Sequence, residues 1–245
     1  MAIIWSKKVA GALYEVRTAG ATIRLYSNGV LHTEFNPKRE ITGSVWDLLF
    51  VPAAFLPADK VKRILLLGLG GGAVTHLYRK VWPEVQIDAI ELNPVHIQVC
   101  RKFFGVDAQQ TKMIEADAQK WLRGNRARYD IVIDDLFGHD GGEPSRAIQF
   151  DAEWQLNIKK SLQPHGLYIG NFADSQDVRQ TSIRMKNSRL GFNFAMRFYN
   201  ESCQNVIICA SESALDQKLF RQNKQFMQEK YSAFRNLQYH HRRIK

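Results

Sequence analysis

Short hydrophobic and polar runs alternate over the first part of the chain, as in β-strands with one buried face. The runs 22–26 and 30–35 flank the pair Asn28-Gly29. Asn-Gly between alternating runs is a strong signal for a β-hairpin, because both residues accept a positive φ. The pattern therefore predicts a small antiparallel β unit, followed by a connecting helix over 45–56 that ends at Pro57.

From residue 61 the pattern changes to apolar runs that alternate with amphipathic stretches, which is typical of an α/β domain. The predicted strands are 61–67, 85–90, 112–114, 129–133 and 167–172. The predicted helices between and after them are 73–82, 94–104, 117–122, 150–162 and 175–190. The continuous apolar character of Ile64–Leu67 indicates a parallel strand that is buried on both faces.

The end of this α/β pattern identifies the fold class. Two further β runs, 194–199 and 205–210, are joined only by the polar residues 200–204. No crossover helix fits between them, so they must pair antiparallel. A mostly parallel seven-stranded sheet that ends in an antiparallel hairpin is the pattern of the class I, Rossmann-like methyltransferase fold.

We expect two units along the chain. Residues 1–57 form the N-terminal β-hairpin unit with its connecting helix, and residues 58–245 form the Rossmann-like nucleoside-binding domain. A last helix is predicted to start at Ser213, with Asp216 completing a capping box, and to lead into a basic C-terminal helix or tail. Its apolar stripe is expected to serve packing rather than ligand binding.

The residues that follow the first two strands of the domain predict a nucleoside pocket. Gly68, Gly70, Gly71 and Gly72 follow the first strand, and Glu91 follows the second about twenty positions later. Glycines let the backbone approach a ligand closely, and the carboxylate is suited to accept hydrogen bonds from ribose hydroxyls. Ligands of open parallel sheets bind at these carboxyl ends.

The third and fourth strand ends add carboxylates to the same edge. Asp117, next to Ala118, is a candidate acceptor for an adenine amino group. Asp134 and Asp135 are suited to a positive centre or an amine. The four strand ends in order are more specific than any one of them, and together they predict nucleoside binding.

The charge of the chain is +10 and is unevenly distributed. Residues 221–245 carry a net +6, which suggests an acidic partner for the C-terminal tail, such as RNA. Residues 130–153 carry a net −6, which suggests a cationic ligand. Solvated surface charge is the alternative for both segments.

Several classes of protein are disfavoured by what the sequence lacks. No apolar run reaches the roughly 20 residues that span a bilayer, and the N-terminus does not resemble a signal peptide. The three widely spaced cysteines argue against a disulfide framework. We therefore expect a cytoplasmic protein that does not bind a membrane. The sequence also has no phosphate-binding GxxxxGK[ST] loop, no metal-ligand cluster and no nucleophile elbow.

The order of these motifs resembles the spermidine synthase (polyamine aminopropyltransferase) family. The resemblance covers residues 20–210 and rests on the segments 25–32, 64–73, 89–94, 115–118 and 129–135. It implies a transferase that takes decarboxylated S-adenosylmethionine as co-substrate, without a metal, and passes the aminopropyl arm to a small amine or polyamine. It also implies a homodimer.

The resemblance further implies roles for individual residues. Those implied to contact the adenosyl sulfonium are Gly68, Gly70, Gly72, Glu91, Asp117 and Ala118. Asp135 would lie near the transferred group. The family normally carries an Asp where this chain has Gly71, and a second catalytic Asp where it has Gly138, so the usual base is missing. Asp140 or His139 would replace it if the loop is rearranged.

Three functions therefore remain open from the sequence. The first is aminopropyl transfer to a small amine. The second is an S-adenosylmethionine-dependent methyltransferase on the same scaffold, because Gly71 would leave room for the methionine carboxylate. The third is a nucleoside-binding homologue without catalytic activity. The first two share a mechanism in which the pocket holds the sulfonium carbon in line with a nucleophile.

Overall fold

The computed structural model describes residues 1–39, 41–140, 143–184 and 191–245. The strands are β1 Ala2–Val9, β2 Ala12–Ala19, β3 Thr22–Ser27, β4 Val30–Phe35, β5 Arg63–Leu67, β6 Gln86–Glu91, β7 Thr111–Glu115, β8 Tyr129–Asp134, β9 Phe137–Asp140, β10 Glu143–Arg146, β11 Leu162–Phe172, β12 Phe194–Tyr199, β13 Val206–Ser211 and β14 His240–Arg243. The α-helices are α1 Val45–Phe50, α2 Ala73–Val81, α3 Pro94–Phe103, α4 Ala118–Gly124, α5 Ala152–Lys160, α6 Ser175–Arg179 and α7 Gln217–Lys230. Short 3-10 helices lie at Val51–Phe55, Ala58–Lys60, Ser182–Arg184 and Ser232–Asn236.

The N-terminal strands form an antiparallel sheet in the order β1-β2-β3-β4. The turn between β3 and β4 is made by Asn28 and Gly29, with φ values of 48° and 83°. The side-chain oxygen of Asn28 accepts a hydrogen bond from the Leu13 N–H at 2.8 Å. The predicted antiparallel β unit is therefore confirmed, and the Asn-Gly pair forms the turn for the reason given above.

The main sheet has the order β14-β12-β13-β11-β8-β5-β6-β7 among the described residues. The neighbours β11-β8, β8-β5, β5-β6 and β6-β7 are parallel, whereas β13 is antiparallel to both β11 and β12. The predicted fold class, including the antiparallel hairpin near the end of the chain, is confirmed.

The sheet has one strand more than the seven predicted. Residues 240–243, which were expected to be a helix or tail, form β14 and pair antiparallel with β12. The edge of β12 would otherwise leave unpaired N–H and C=O groups, and the returning chain satisfies them. The local sequence His-His-Arg-Arg carries no apolar alternation, so no strand signal was present.

Both faces of the main sheet are covered by apolar side chains. On β5, Ile64 and Leu66 belong to the cluster that includes α2, α3 and α7. Leu65 and Leu67 belong to the cluster on the opposite face, which includes α5. This burial on both faces explains the uninterrupted apolar run, because successive side chains of a strand point to opposite sides.

Several predicted helices differ in extent from the structure. The connecting helix predicted over 45–56 is α-helical only as α1 and continues as the 3-10 helix Val51–Phe55. The last helix begins after Asp216, whose carboxylate accepts the Lys218 N–H at 2.7 Å, so Ser213 lies outside it. The predicted helix 175–190 is helical only as α6, and residues 185–190 lie outside the described part. Within the described residues, no helix combines the length and the apolar character that a membrane crossing requires.

A buried carboxylate on α1 organises the loop that precedes this helix. Asp47 is 2% exposed and accepts hydrogen bonds from the N–H groups of Thr42 and Gly43, at 2.8 and 2.6 Å. Asn200 in turn donates to the carbonyl of Gly43 at 2.9 Å. Burial raises the pKa of Asp47 to about 6, although these hydrogen bonds oppose the shift.

We predict that Asp47 makes stability depend on pH. The pKa of Asp47 is higher in the folded than in the unfolded protein. Its contribution to the free energy of unfolding is therefore fully present below pH 4 and is lost as pH rises through 6. The whole shift corresponds to roughly 2–3 kcal/mol. In Asp47→Asn, the difference between the free energies of unfolding at pH 4.5 and pH 7.5, measured with urea, should shrink by up to this amount.

Asp59→Asn is the matched control, because the Asp59 side chain is 74% exposed. It should leave the difference between the two pH values unchanged. A wild-type pH dependence in Asp47→Asn would contradict the role assigned to this carboxylate.

Candidate functional site

A cavity of about 690 Å³ lies between the N-terminal sheet and the carboxyl ends of the parallel strands. This is the edge at which open α/β sheets bind ligands, and the volume is typical of a small-molecule site. The described residues that line it include Tyr14, His32, Gly68, Gly70, Glu91, His96, Asp135, Gly138, Asn171 and Asn205.

Two glycines permit the close approach of backbone segments at the cavity floor. Gly68 and Gly70 have φ values of 87° and 53°, in the left-handed region that favours glycine. A side chain at Gly68 would collide with the backbone carbonyl of Asp135, and one at Gly70 would collide with the hydroxyl of Thr33. Both glycines line the cavity.

The other two glycines of the loop face the protein interior. A Cβ at Gly72 would lie 3.0 Å from the sulfur of Cys100, and Gly72 is not part of the cavity lining. A Cβ at Gly71 would lie 2.8 Å from the ring of Phe104, and the Gly71 N–H donates to the Thr33 hydroxyl at 2.7 Å. Gly72 therefore serves packing, and the space expected beside Gly71 is filled by Phe104.

Glu91 ends β6 at the cavity and is 8% exposed. One carboxylate oxygen accepts the N–H groups of Leu69 and Gly70 at 3.0 and 3.1 Å, and the other accepts the Asn93 N–H at 2.9 Å. Burial disfavours the ionised carboxylate and by itself would raise the pKa of Glu91. The hydrogen bond and the charge of His96, together with the backbone donors, nevertheless hold the pKa of Glu91 below its ordinary value. Glu91 is therefore ionised at neutral pH.

Two histidines and a tyrosine beside Glu91 were missed by the sequence analysis. His96 Nδ1 lies 3.7 Å from a carboxylate oxygen of Glu91, and the His96 ring lies 4.7 Å from that of His32. Tyr14 approaches His96 edge-on at 5.9 Å. The spacing between Glu91 and His96, which places the histidine on the first turn of α3, was the signal that could have identified it.

Asp135 lies at the end of β8 and lines the cavity. Asn171 donates to its carboxylate at 2.7 Å, and Asn205 donates to the side-chain oxygen of Asn171 at 3.0 Å. Burial, reinforced by the charge of Asp134, raises the pKa of Asp135 to about 6, despite the hydrogen bond from Asn171. This carboxylate is therefore poised to exchange a proton near neutral pH.

Asp134 does not contact the cavity, which corrects the prediction that it binds the ligand. It is fully buried and accepts hydrogen bonds from Arg146, Trp154 and Tyr168 at 2.9, 2.9 and 3.0 Å. Successive side chains of a strand point to opposite faces, so Asp134 and Asp135 cannot both reach the cavity. Asp134 instead fixes Arg146, at the end of the β9–β10 hairpin, to the core.

Asp117 and Ala118 also lie away from the described cavity lining. The Asp117 carboxylate accepts the Lys120 N–H at 2.9 Å and caps α4, whereas Ala118 is 6% exposed in the core. The cap explains the presence of an Asp at this position without a ligand. Asp140 ends β9, but its side chain, like that of His139, lies outside the described part of the structure.

Most other carboxylates of the acidic segment have structural partners. Asp130 accepts the backbone N–H groups of Lys62 and Arg63, Asp151 caps α5, and Glu153 pairs with Arg123. Among the described carboxylates of the segment, only that of Asp135 lines the cavity. Most of the described carboxylates behind the local charge of −6 therefore stabilise the fold and do not face the cavity.

The cavity is suited to a cation. Its described lining contains the carboxylates Glu91 and Asp135 and the imidazoles of His32 and His96, but no lysine or arginine. The buried Nε2 atom of His96 has no hydrogen-bond partner among the described residues, and a ligand could supply one. A positively charged ligand would gain from both carboxylates.

A family model and individual relatives place the chain in the same protein family. The sequence model of the spermine/spermidine synthase domain matches residues 48–200. A polyamine aminopropyltransferase of Vibrio vulnificus is 24% identical over 186 residues, covering 74% of this chain and 61% of that protein. One of Streptococcus uberis is 29% identical over 155 residues, covering 58% and 51%. The chain thus spans between about half and three fifths of the length of these relatives.

Solved structures support the fold. A probable spermidine synthase from Corynebacterium glutamicum has a TM-score of 0.74 at 18% identity, with 94% of this chain and 87% of that chain covered. Human methyltransferase-like protein 13 in complex with SAH has a TM-score of 0.60 at 18% identity, with 78% and 90% covered. At these identities the likeness shows the fold alone.

We predict that Gly71 does not tolerate a side chain. Gly71→Ala should lower the free energy of unfolding by about 1–3 kcal/mol, because its Cβ would overlap the buried ring of Phe104. Gly124→Ala is the matched control, since a Cβ there meets nothing within 4 Å. Urea denaturation should show a lower midpoint for Gly71→Ala alone, and the loss should be smaller in a Phe104→Leu background. Equal midpoints for the two glycine variants would contradict this packing argument.

Proposed function

The chain belongs to the spermine/spermidine synthase family, and from this premise we propose that it transfers the alkyl arm of decarboxylated S-adenosylmethionine, or of a related adenosyl sulfonium, to an amine acceptor. The observation that carries the proposal is the cavity at the carboxyl ends of the parallel strands. It presents the two carboxylates Glu91 and Asp135 without a lysine or arginine in its described lining. Both the donor and the acceptor of this reaction are cations.

In this proposal the adenosyl donor lies over the ends of β5 and β6. Gly68 and Gly70 let the backbone pass beneath it, and Glu91 accepts hydrogen bonds from the ribose. Three backbone N–H groups already donate to Glu91, so the ribose must share the carboxylate with them or displace one. His96, whose Nε2 atom is unpaired among the described residues, offers a further hydrogen bond.

Asp135 has the chemistry that the transfer requires. An alkylamine with a pKa near roughly 10 is mostly protonated at neutral pH and must lose a proton to become a nucleophile. The Asp135 carboxylate, with its pKa near 6, accepts this proton. The amine nitrogen then bonds to the carbon beside the sulfonium, the carbon–sulfur bond breaks, and its electron pair leaves on sulfur as a neutral thioether. A positioned base contributes roughly 10²–10⁴ in rate.

The cavity favours the decarboxylated donor over intact S-adenosylmethionine. The intact compound carries an additional carboxylate, which would meet Glu91 and Asp135 without a described cationic side chain to pair with. The space that the sequence analysis assigned to this carboxylate beside Gly71 is occupied by Phe104. Aminopropyl transfer is therefore preferred to methyl transfer on this scaffold.

Calorimetric titration of the two compounds tests the proposal. We predict tighter binding of decarboxylated S-adenosylmethionine than of the intact form. Glu91→Ala should weaken donor binding about tenfold or more and acceptor binding far less, provided that thermal unfolding verifies a folded variant. Tighter binding of the intact compound would select a methyltransferase. Binding of neither would contradict both assignments.

Gly138 gives a test of the chemistry itself. The family base is absent at this position, but Gly138 lines the cavity, and the nearest atom to an added Cβ is 3.9 Å away on Ala147. An added Cβ therefore meets no close contact with the described residues here, in contrast to Gly71. We predict that Gly138→Asp raises kcat for amine alkylation about tenfold or more, because it adds a second base.

Gly138→Asn is the matched control for that gain. It has the same shape without a carboxylate, so it should leave kcat within about twofold of the unsubstituted protein. Equal rates for the two variants, measured by single-turnover kinetics with decarboxylated donor and a diamine, would contradict a base at this position.

A further inference from the structure

The outer edge of the main sheet carries an unusual pair of facing arginines. Strand pairing sets Arg197 of β12 directly opposite Arg242 of β14, and Tyr199 opposite His240. Because side chains alternate along a strand, these four project from the same face. We call this surface of Arg197, Tyr199, His240 and Arg242 the basic edge.

Like charges directly opposite each other destabilise a sheet. The buried Nε atom of Arg197 has no hydrogen-bond partner among the described residues. Burial lowers the pKa of Arg197, and the charge of Arg242 adds to this shift. An anion between the two guanidinium groups would remove this repulsion.

Flat groups alternate with the charges on the basic edge. The Arg197 guanidinium lies over the ring of Tyr199 at 4.5 Å, and the ring of His240 lies 5.3 Å from that of Tyr199. Arg197 also donates to the hydroxyl of Ser175 at 3.3 Å, which orients its planar head. Planar cations next to aromatic rings are suited to phosphates and to stacked bases.

Protection of the sheet edge does not account for this arrangement. Charges on an outermost strand prevent pairing with another chain, and Arg242 together with Arg243 on β14 would suffice for that purpose. Arg197 and Tyr199 lie on the second strand, where no edge needs protection. The last helix and β14 add to the same sign of charge, since residues 221–245 carry a net +6.

The basic edge leads along the chain to residues of the cavity. Tyr199 is the last residue of β12, and three of the residues that follow it, Ser202, Cys203 and Asn205, line the cavity.

We propose that the basic edge binds single-stranded nucleic acid, with phosphates at Arg197 and Arg242 and a base stacked on the Tyr199–His240 pair. The aromatic surface favours this partner over an acidic protein segment, whose carboxylates would use only the charges. A second copy of the chain is disfavoured, because two such edges would bring like charges together. The inference goes beyond the proposed transferase reaction and does not depend on donor binding.

Fluorescence anisotropy of a labelled 20-nucleotide single-stranded RNA of mixed sequence, titrated with the full chain, tests the proposal. Arg242→Glu should weaken binding at least tenfold, because it removes one phosphate contact and pairs with Arg197. Arg242→Ala should make the plot of log K against log salt shallower by about 0.7, the value for one phosphate contact on a single strand. Tyr199→Leu should weaken binding of this single-stranded RNA at least fivefold. It should weaken binding of a duplex of the same sequence much less.

Lys112→Glu is the matched control. Lys112 is exposed on β7, at the opposite edge of the sheet, and the substitution changes the net charge by the same amount. It should alter RNA affinity less than twofold. Equal losses for Lys112→Glu and Arg242→Glu would overturn the proposal, because binding would then follow the total charge. Tighter binding of a poly-glutamate peptide than of the RNA would overturn it in favour of an acidic protein partner.

Discussion

The candidate site depends on the hydrogen bonds that the Glu91 carboxylate accepts from the backbone. By accepting the N–H groups of Leu69, Gly70 and Asn93, this carboxylate joins the ends of β5 and β6 and fixes the glycine loop between them. The negative charge at the cavity floor is therefore sustained by His96 together with these backbone donors. The same donors that keep Glu91 ionised also compete with any ribose for its lone pairs, so ligand affinity reflects the difference between two sets of hydrogen bonds.

Sequence reasoning was most successful where a pattern has one physical cause. The apolar run at Ile64–Leu67 and the Asn28-Gly29 turn predicted a buried parallel strand and a hairpin, because burial and positive φ leave few alternatives. The β9–β10 hairpin was missed, since its short strands lack apolar alternation. Its anchor, the ion pair of Arg146 with Asp134, joins residues whose partnership only the tertiary structure reveals.

The sequence predicted which carboxylates follow the parallel strands, but not which of their side chains point into the cavity. Glu91 and Asp135 line the cavity, whereas Asp117 and Asp134 satisfy a helix cap and a buried arginine. A sequence shows that a carboxylate follows a strand, but the pleat and the next helix decide where it points. The two glycines that depart from the family pattern differ for the same reason. Gly71 faces a packed ring, and Gly138 faces the cavity.

The hydroxyl of Thr33 connects the N-terminal sheet to the glycine loop of the main sheet. It belongs to β4 of the N-terminal sheet, yet it is the acceptor for the buried N–H of Gly71 in the glycine loop. Without the first four strands, that N–H would lose the acceptor that holds it in place. The geometry of the glycine loop therefore depends on a side chain of the N-terminal sheet, which precedes the loop in the chain.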